Sequence, residues 1–306
     1  MISVIIPVYN EAGNIRELHR LNKETLEKLG VPYEIIVVDS GSIDETPAIL
    51  KTLSPIKIIT LTRKFGQTLT LDAGIKTAKG DIVIIMDGDL QNDPRDIPKL
   101  LAKMDEGYDV VAGWRKDRHD NLARRIHSRL ANWLTRTVSG LNLHDHACAL
   151  KAYKKKFLDG INMYGIQHVF LAVSVFYRGA KVAEVEVTHH ERKSGVSTHL
   201  WMSGVKAIAD LFVVRFLHPN MRPMVFFSAL GFLFWGIAAL AVVGLLASIG
   251  FGLPISAGTS LLIVVAMFTV GGLFLFIIGI LTEILWRIYY ESKEERPYTI
   301  REIIER

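Results

Sequence analysis

Carboxylates gather where the apolar runs of this chain stop. Glu11 follows the run over residues 2–9, Asp39 ends Tyr33–Asp39, and Asp87-Gly88-Asp89-Leu90-Gln91 closes the run over residues 81–87. Placed at one edge of a sheet, such groups repel each other unless a cation or a donor-rich ligand compensates them. The Asp-x-Asp pair has no cysteine or zinc-like histidine spacing nearby, which suits a hard divalent ion, Mg²⁺ or Mn²⁺, held by oxygen. Ions of this kind share their coordination with substrate phosphates. Asp-Gly-Asp is also a good turn sequence, and its place after Ile82-Val83-Ile84-Ile85-Met86 is what favours the metal reading.

A second cluster has the opposite sign. Residues 115–129 carry six Arg or Lys against two Asp. They read either as a cradle for phosphate or as a basic face turned to solvent or anionic lipid, the latter worth about 1 kcal/mol per cation. Arg124 and Ser128 lie one helical turn apart and share a face. No G-x-G-x-x-G or G-x-x-x-x-G-K-[ST] segment occurs, so a dinucleotide oxidoreductase or a P-loop enzyme is disfavoured. Phosphate must be met by a metal and by Arg or Lys. Nucleic acid is a poor partner, because no aromatic platform is interleaved with the basic residues.

The elements that must position these groups alternate. Residues 2–9, 33–39, 56–62, 81–87 and 109–115 are continuous Val/Ile-rich runs of parallel-sheet type. Ile15, Leu18, Leu21, Leu26 and Leu29 follow helical spacing and stop at Gly30. Ser42 with Glu45 reads as a capping box for a helix to about Leu53, and Asp93-Pro94 as the start of one that ends at Gly107. Such alternation predicts an open α/β sheet that binds ligands beyond the carboxyl ends of its strands. An amphipathic helix follows at Leu122–Leu134, then a strand over residues 181–188. Trp201, Val205, Ile208, Leu211, Phe212 and Phe216 line one side of a helix that either lies in a membrane interface or packs on the α/β domain.

From Met224 to Thr282 the chain of 306 residues has no Asp, Glu, Lys, Arg or His. That excludes a purely soluble protein, since a buried helix needs only ~10–14 apolar residues and a membrane span ~20. Residues 250–260, turn-rich and containing Pro254, divide the stretch into spans at about 224–249 and 261–285. Basic residues flank both outer ends and the connecting loop has none, which places both termini in the cytoplasm. Glu283 reads as an interfacial residue rather than a proton relay. The N-terminal apolar run is too short, and lacks the basic leader, for a signal peptide. Net charge is +5, and residues 283–306 hold five Lys or Arg against six Asp or Glu, so the excess belongs to the preceding domain. The lone Cys148 excludes an intrachain disulfide and fits a reducing compartment.

Four motifs then stand in order: Pro7-Val8-Tyr9-Asn10-Glu11, Val38-Asp39-Ser40-Gly41-Ser42-Ile43-Asp44, Arg63-Lys64-Phe65-Gly66-Gln67-Thr68 and Asp87-Gly88-Asp89-Leu90-Gln91-Asn92-Asp93-Pro94. Together they resemble the polyisoprenyl-phosphate glycosyltransferases, the inverting GT-A-fold group of dolichol-phosphate mannose synthases and bacterial undecaprenyl-phosphate glucosyltransferases. The resemblance covers about residues 1–200, and the trailing spans match the bacterial members. It implies a GT-A domain (1–198, a Rossmann-like open mixed sheet), an interfacial helix (199–222), a two-helix transmembrane hairpin (223–288) and a cytosolic tail (289–306). It further implies a multi-pass protein of the inner, cytoplasmic membrane with its catalytic domain in the cytoplasm. A homo-oligomer is compatible with this arrangement.

Residue by residue, the resemblance assigns Pro7, Tyr9, Glu11 and Asp39 to the nucleotide pocket and Asp87, Asp89 and Gln91 to the metal and diphosphate. The Arg63–Thr68 segment, with Lys64, would line the donor. Arg115, Arg124 and Ser128 would cradle the lipid phosphate, and Arg192 of His190-x-Arg192-x-x-Gly195-x-Ser197 would reach the donor diphosphate. Asp89 and Arg124 would serve catalysis, and Asp145 is either a base or orienting group or a structural carboxylate paired with a cation. Two departures stand out: Ser40 replaces a carboxylate common in relatives, and Ser197-Thr198-His199 lacks the second cation of the mobile loop. The implied reaction moves one sugar from a nucleotide-sugar, UDP-glucose favoured and GDP-mannose next, to a polyisoprenyl phosphate with inversion. The Gln-x-x-Arg-Trp of processive polysaccharide synthases is absent. A catalytically inactive membrane scaffold on the same fold is the alternative of another class.

Overall fold

The computed structural model describes residues 1–116, 122–163, 165, 167–190, 210–216, 222–251 and 255–292. In chain order the elements are β1 (Ile2–Val8), α1 (Ile15–Leu29), β2 (Tyr33–Asp39), α2 (Thr46–Leu50), β3 (Lys57–Thr60), α3 (Gln67–Thr77), β4 (Ile82–Ile85), α4 (Ile97–Asp105), β5 (Val110–Trp114), α5 (Leu122–Ser139), β6 (Lys151–Lys154), α6 (Leu171–Tyr177), β7 (Val182–Glu186), α7 (residues 210–216), α8 (Pro223–Gly250) and α9 (Ile255–Ser292). They fall into two compact units that meet in sequence at His218 and Pro219.

The first unit is a seven-stranded sheet ordered β3-β2-β1-β4-β6-β5-β7. All neighbours are parallel except β6, which runs antiparallel to β4 and β5. This is the GT-A mixed sheet. Side chains alternate across it. Ile2, Val4, Ile6 and Val8 of β1 face α1 and α4 with Leu18, Leu26, Ile97 and Leu100. Ile5 faces α3 and α6 on the other side, with Leu71, Ile75, Leu171 and Val175. Both faces are covered, which is why the strands read as unbroken apolar runs.

Two local expectations are corrected. Ser42 caps no helix: α2 begins at Thr46 after Glu45, and the Ser42 hydroxyl is committed to Asp39 and to the Asn10 backbone. A strand absent from the sequence reading, β6, sits in the middle of the sheet. Its residues Lys-Ala-Tyr-Lys carry no apolar run, yet Lys151, Ala152 and Tyr153 are all buried. By contrast α1 ends where expected, at Gly30 with φ 67°. The Asp93 side chain accepts from Arg95 N and caps a 3-10 turn over Pro94–Asp96, and α4 follows from Ile97, three residues later than Asp93-Pro94 predicts. In α7, Leu211 and Val214 are buried against Ala112, Leu143, Phe170 and Val173, while Phe212 and Val213 are exposed. The face turned inward is therefore not the one that groups Leu211 with Phe212 and Phe216.

The second unit is the pair α8 and α9, each long and apolar enough to cross a membrane. The helix α9 starts at Ile255, so Ser256, Gly258, Thr259 and Ser260 continue a helix where turn residues predicted a break. Glycines let the two axes approach: a Cβ on Gly231 would lie 2.9 Å from the Gly272 carbonyl, and one on Gly272 would lie 2.4 Å from the Trp235 ring. The Trp235 indole donates to the Thr269 carbonyl at 3.1 Å. Glu283 accepts from Met224 N, in the first turn of α8, and pairs with Arg287 one turn on. Large apolar side chains point outward, among them Leu240 at 73% and Met267 at 67% exposure. Surface of this kind belongs in hydrocarbon rather than water.

Candidate active site

The carboxyl ends of β1, β2 and β4 converge, and glycines make the convergence fit. A Cβ on Gly88 would meet Val8 and the Pro7 carbonyl at 3.0 and 3.1 Å, so the Asp87–Gln91 loop lies directly on the end of β1. Gly41 has φ 73°, and a Cβ there would sit 2.9 Å from Arg63 backbone atoms. The Arg63–Gln67 loop thus passes against the end of β2, where Phe65 N donates to Ser40 Oγ at 3.2 Å. Serine at that position therefore serves as an acceptor for the loop.

Asp39 is 1% exposed. Its Oδ1 accepts from Ser42 N at 2.9 Å and from Ser42 Oγ at 2.6 Å, while its Oδ2 is buried with no partner. A buried carboxylate oxygen left unpaired costs free energy that a bound donor group would recover. The turn beside it is built from both strand ends: Asn10, at φ 56°, accepts from Ile43 N, and Glu11 N donates to Thr46 Oγ1. Glu11 Oε2 accepts from Asn14 Nδ2 at 2.7 Å. Across the opening, Lys64 Nζ lies 4.0 Å above the Tyr9 ring centre, which brings together the first and third motifs. Pro7 and Tyr9 are half-buried.

In the β4 loop, Asp89 is 4% exposed and its Oδ1 accepts from Gln91 N at 3.1 Å. Between them Leu90 holds φ 60°, a conformation offset by burial of its side chain in the core with Ile97 and Leu100. Asp87 is half-buried and accepts from Gln67 Nε2 at 2.6 Å. Sequence reasoning gave Gln67 no role of its own, because only the fold brings the start of α3 to this loop. Among the described residues no three Asp, Glu, His or Cys groups form a metal cage. Asp87 and Asp89 instead offer an oxygen-only donor set, suited to a divalent ion whose other ligands come from substrate and water.

The chain after β7 braces this loop. Asn92 bridges to His189, His190 N donates to Gln91 O, and His190 Nε2 lies 3.0 Å from Asp93 Oδ2. Burial opposes it, but Arg95 and His190 hold the Asp93 carboxyl well below the usual carboxylate range. Arg192, Gly195 and Ser197 lie outside the described residues, as does the side chain of Arg124 on α5.

Arg115 and Asp145 form a bidentate pair, Nε to Oδ2 at 2.7 Å and Nη2 to Oδ1 at 3.0 Å. Both are largely buried, at 12% and 4% side-chain exposure. Despite burial, Asp145 keeps the Arg115 guanidinium firmly protonated. Of the readings open for Asp145, pairing with a neighbouring cation is the one this geometry displays. Ser128 is half-buried on α5. His144 stacks on Trp114 with ring centres 4.3 Å apart and bonds to Glu184 through Nδ1, so it is engaged structurally.

Fold and site together define an α/β sugar-transferring enzyme of the GT-A type. The glycosyl transferase family 2 profile matches residues 3–162. Curated relatives include the dodecaprenyl-phosphate galacturonate synthase of Rhizobium johnstonii, 34% identical over 99% of this chain and 93% of the relative. The undecaprenyl-phosphate 4-deoxy-4-formamido-L-arabinose transferase of Enterobacter sp. is 34% identical over 100% of this chain and 94% of its own length. The chain belongs to glycosyl transferase family 2 and, within it, to the polyprenyl-phosphate glycosyltransferases. Among solved structures, glucosyl-3-phosphoglycerate synthase of Mycobacterium tuberculosis with Mn²⁺ and UDP-glucose shares the fold. It aligns with a TM-score of 0.54 at 20% identity, over 72% of this chain and 81% of that one.

Proposed function

We propose that the protein transfers one glycosyl group from a UDP-sugar, UDP-glucose in the first instance, to an undecaprenyl-type polyprenyl phosphate with inversion. The observation that carries this is the meeting of Asp39, Tyr9–Lys64 and Asp87–Gln91 at one sheet edge of a chain that also bears two bilayer-length apolar helices. Asp39 Oδ2 accepts from the nucleotide, and Tyr9 and Lys64 flank it. Asp87, Asp89 and Gln91 would hold a divalent cation, Mg²⁺ or Mn²⁺, which when bound supplies charge neutralisation at the departing diphosphate. Gln67 keeps Asp87 oriented.

Arg115 and Arg124 with Ser128 hold the acceptor phosphate, and Arg192 approaches the donor diphosphate. A phosphate monoester, with a second pKa near ~6, is already anionic at neutral pH and needs no strong base. Asp145 therefore orients Arg115 rather than abstracting a proton. What the site must supply is positioning of two anions. The spans anchor the α/β unit at the cytoplasmic face of the inner membrane, with both termini cytoplasmic.

The full-length protein with Mn²⁺ or Mg²⁺, undecaprenyl phosphate and a UDP-sugar should yield a lipid monophosphate sugar and UDP. UDP-glucose, UDP-galacturonate, UDP-4-deoxy-4-formamido-L-arabinose and GDP-mannose are the donors to compare. Asp89→Ala should lower turnover at least ~100-fold, the size of effect expected where charge stabilisation of the leaving group is lost. Full activity in both Asp89→Ala and Arg124→Ala, or a polymeric product, would refute the assignment.

A further inference from the structure

One buried charge near the site has no part in the scheme above. Lys151 pairs in register with Ile85 of β4 and Ala112 of β5, in the middle of the sheet, and is 4% exposed. Its ammonium donates to the His146 carbonyl at 2.8 Å. The adjoining Leu150, Ala152 and Tyr153 are buried, so an aliphatic side chain would fill the same slot without desolvating a charge. Burial does lower the Lys151 pKa, against the opposing pull of the Asp145 carboxylate. The charges it feels are those of Asp145, Arg115 and Asp87. Cys148 stays a neutral thiol, since burial pushes it up to about 11.

Asp145 is gripped by Arg115 in a bidentate pair, and Lys151 holds the backbone carbonyl of the next residue, His146. The same turn carries the His146 carbonyl that Lys151 holds and the Asp145 carboxylate that Arg115 grips. Resting on the acceptor reading above, we infer that Lys151 is a positioning residue for the lipid phosphate. By fixing the His146 carbonyl it keeps Asp145 on Arg115, and so holds the guanidinium that meets an incoming phosphate monoester.

The test compares full-length wild type, Lys151→Met, Arg115→Ala and the double variant in detergent. Steady-state kinetics with undecaprenyl phosphate are set beside UDP binding and melting temperature. Lys151→Met should raise KM for the lipid phosphate roughly tenfold, the loss expected for one charge-assisted contact, with UDP affinity unchanged. In the Arg115→Ala background it should add little, because both residues act on one phosphate. A lowered melting temperature with unchanged KM, or additive effects, would overturn the inference. If Lys151→Met does not fold, Lys151→Gln, polar but one bond shorter, takes the ammonium away from the His146 carbonyl and carries the same expectation. Wild type that binds UDP but no polyprenyl phosphate would sink the acceptor reading. Wild type that binds it no better than Lys151→Gln would sink the role of Lys151.

Discussion

At the scale of the residue, the site is a set of buried polar atoms with uneven satisfaction. Asp39 Oδ2 is the clearest case, a desolvated oxygen without a donor. Asp39→Asn keeps the volume but turns an acceptor into a donor or a neutral amide, and should weaken UDP binding by roughly tenfold or more in calorimetric titration. His146 is a second case. Its imidazole is buried, and burial, with the nearby Lys151 charge, pushes its pKa from 6.5 down to about 4. In the unfolded chain it takes up a proton as pH falls below ~6.5, whereas the folded protein resists until about pH 4. Stability should therefore fall as pH is lowered through that window, by up to about 1.4 kcal/mol per unit, and be complete above it. Melting curves of wild type and His146→Phe between pH 7.5 and 4.5 check this, and an unchanged slope in the variant would assign the dependence elsewhere.

At the scale of the element, loops are held against strand ends by the absence of side chains. Gly41→Ala puts a methyl 2.9 Å from the Arg63 backbone at a positive φ, so the Arg63–Gln67 loop must move. The expected result is UDP binding weakened several-fold, with an intact fold by circular dichroism; unchanged UDP affinity would show that this loop does not line the donor. Elements were legible where their signal is local. The α1 stop at Gly30, the Asp93 cap and the apolar strands follow from φ preference, side-chain acceptors and two-sided burial. The capping box at Ser42 and the missing β6 show the limit. Ser42 has the right spacing to Glu45 but is claimed by Asp39 and Asn10, which come from other strand ends. Lys151-Ala152-Tyr153-Lys154 has no strand-like pattern, and only pairing on both sides makes it one.

At the scale of the whole molecule, an α/β unit is tied by its own chain to a helical pair. Gly272→Leu should separate α8 from α9, costing about 1–3 kcal/mol by overpacking, and lower the melting temperature in detergent. Leu240→Ala, on an outward face, should not. Phe251, at the tip between the helices, is 84% exposed, whereas the native Cys148 is buried. Phe251→Cys in intact cells should react with an impermeant maleimide from the outer side only, and labelling from the inner side alone would invert the topology. The sequence by itself determined the class of protein: acidic strand ends, four ordered motifs and a charge-free stretch are properties of residue type and spacing, read along one dimension. The tertiary structure decided which groups share the site. Gln67 on Asp87, Lys64 on Tyr9, Asp145 on Arg115 and Lys151 on the His146 carbonyl are pairs separated by 20 residues or more in most cases. Lys151 is the partial exception, bonded to a carbonyl only five residues away, yet its neighbours across the sheet are remote. Their partnership comes from strand order and desolvation, which exist only once the chain has folded.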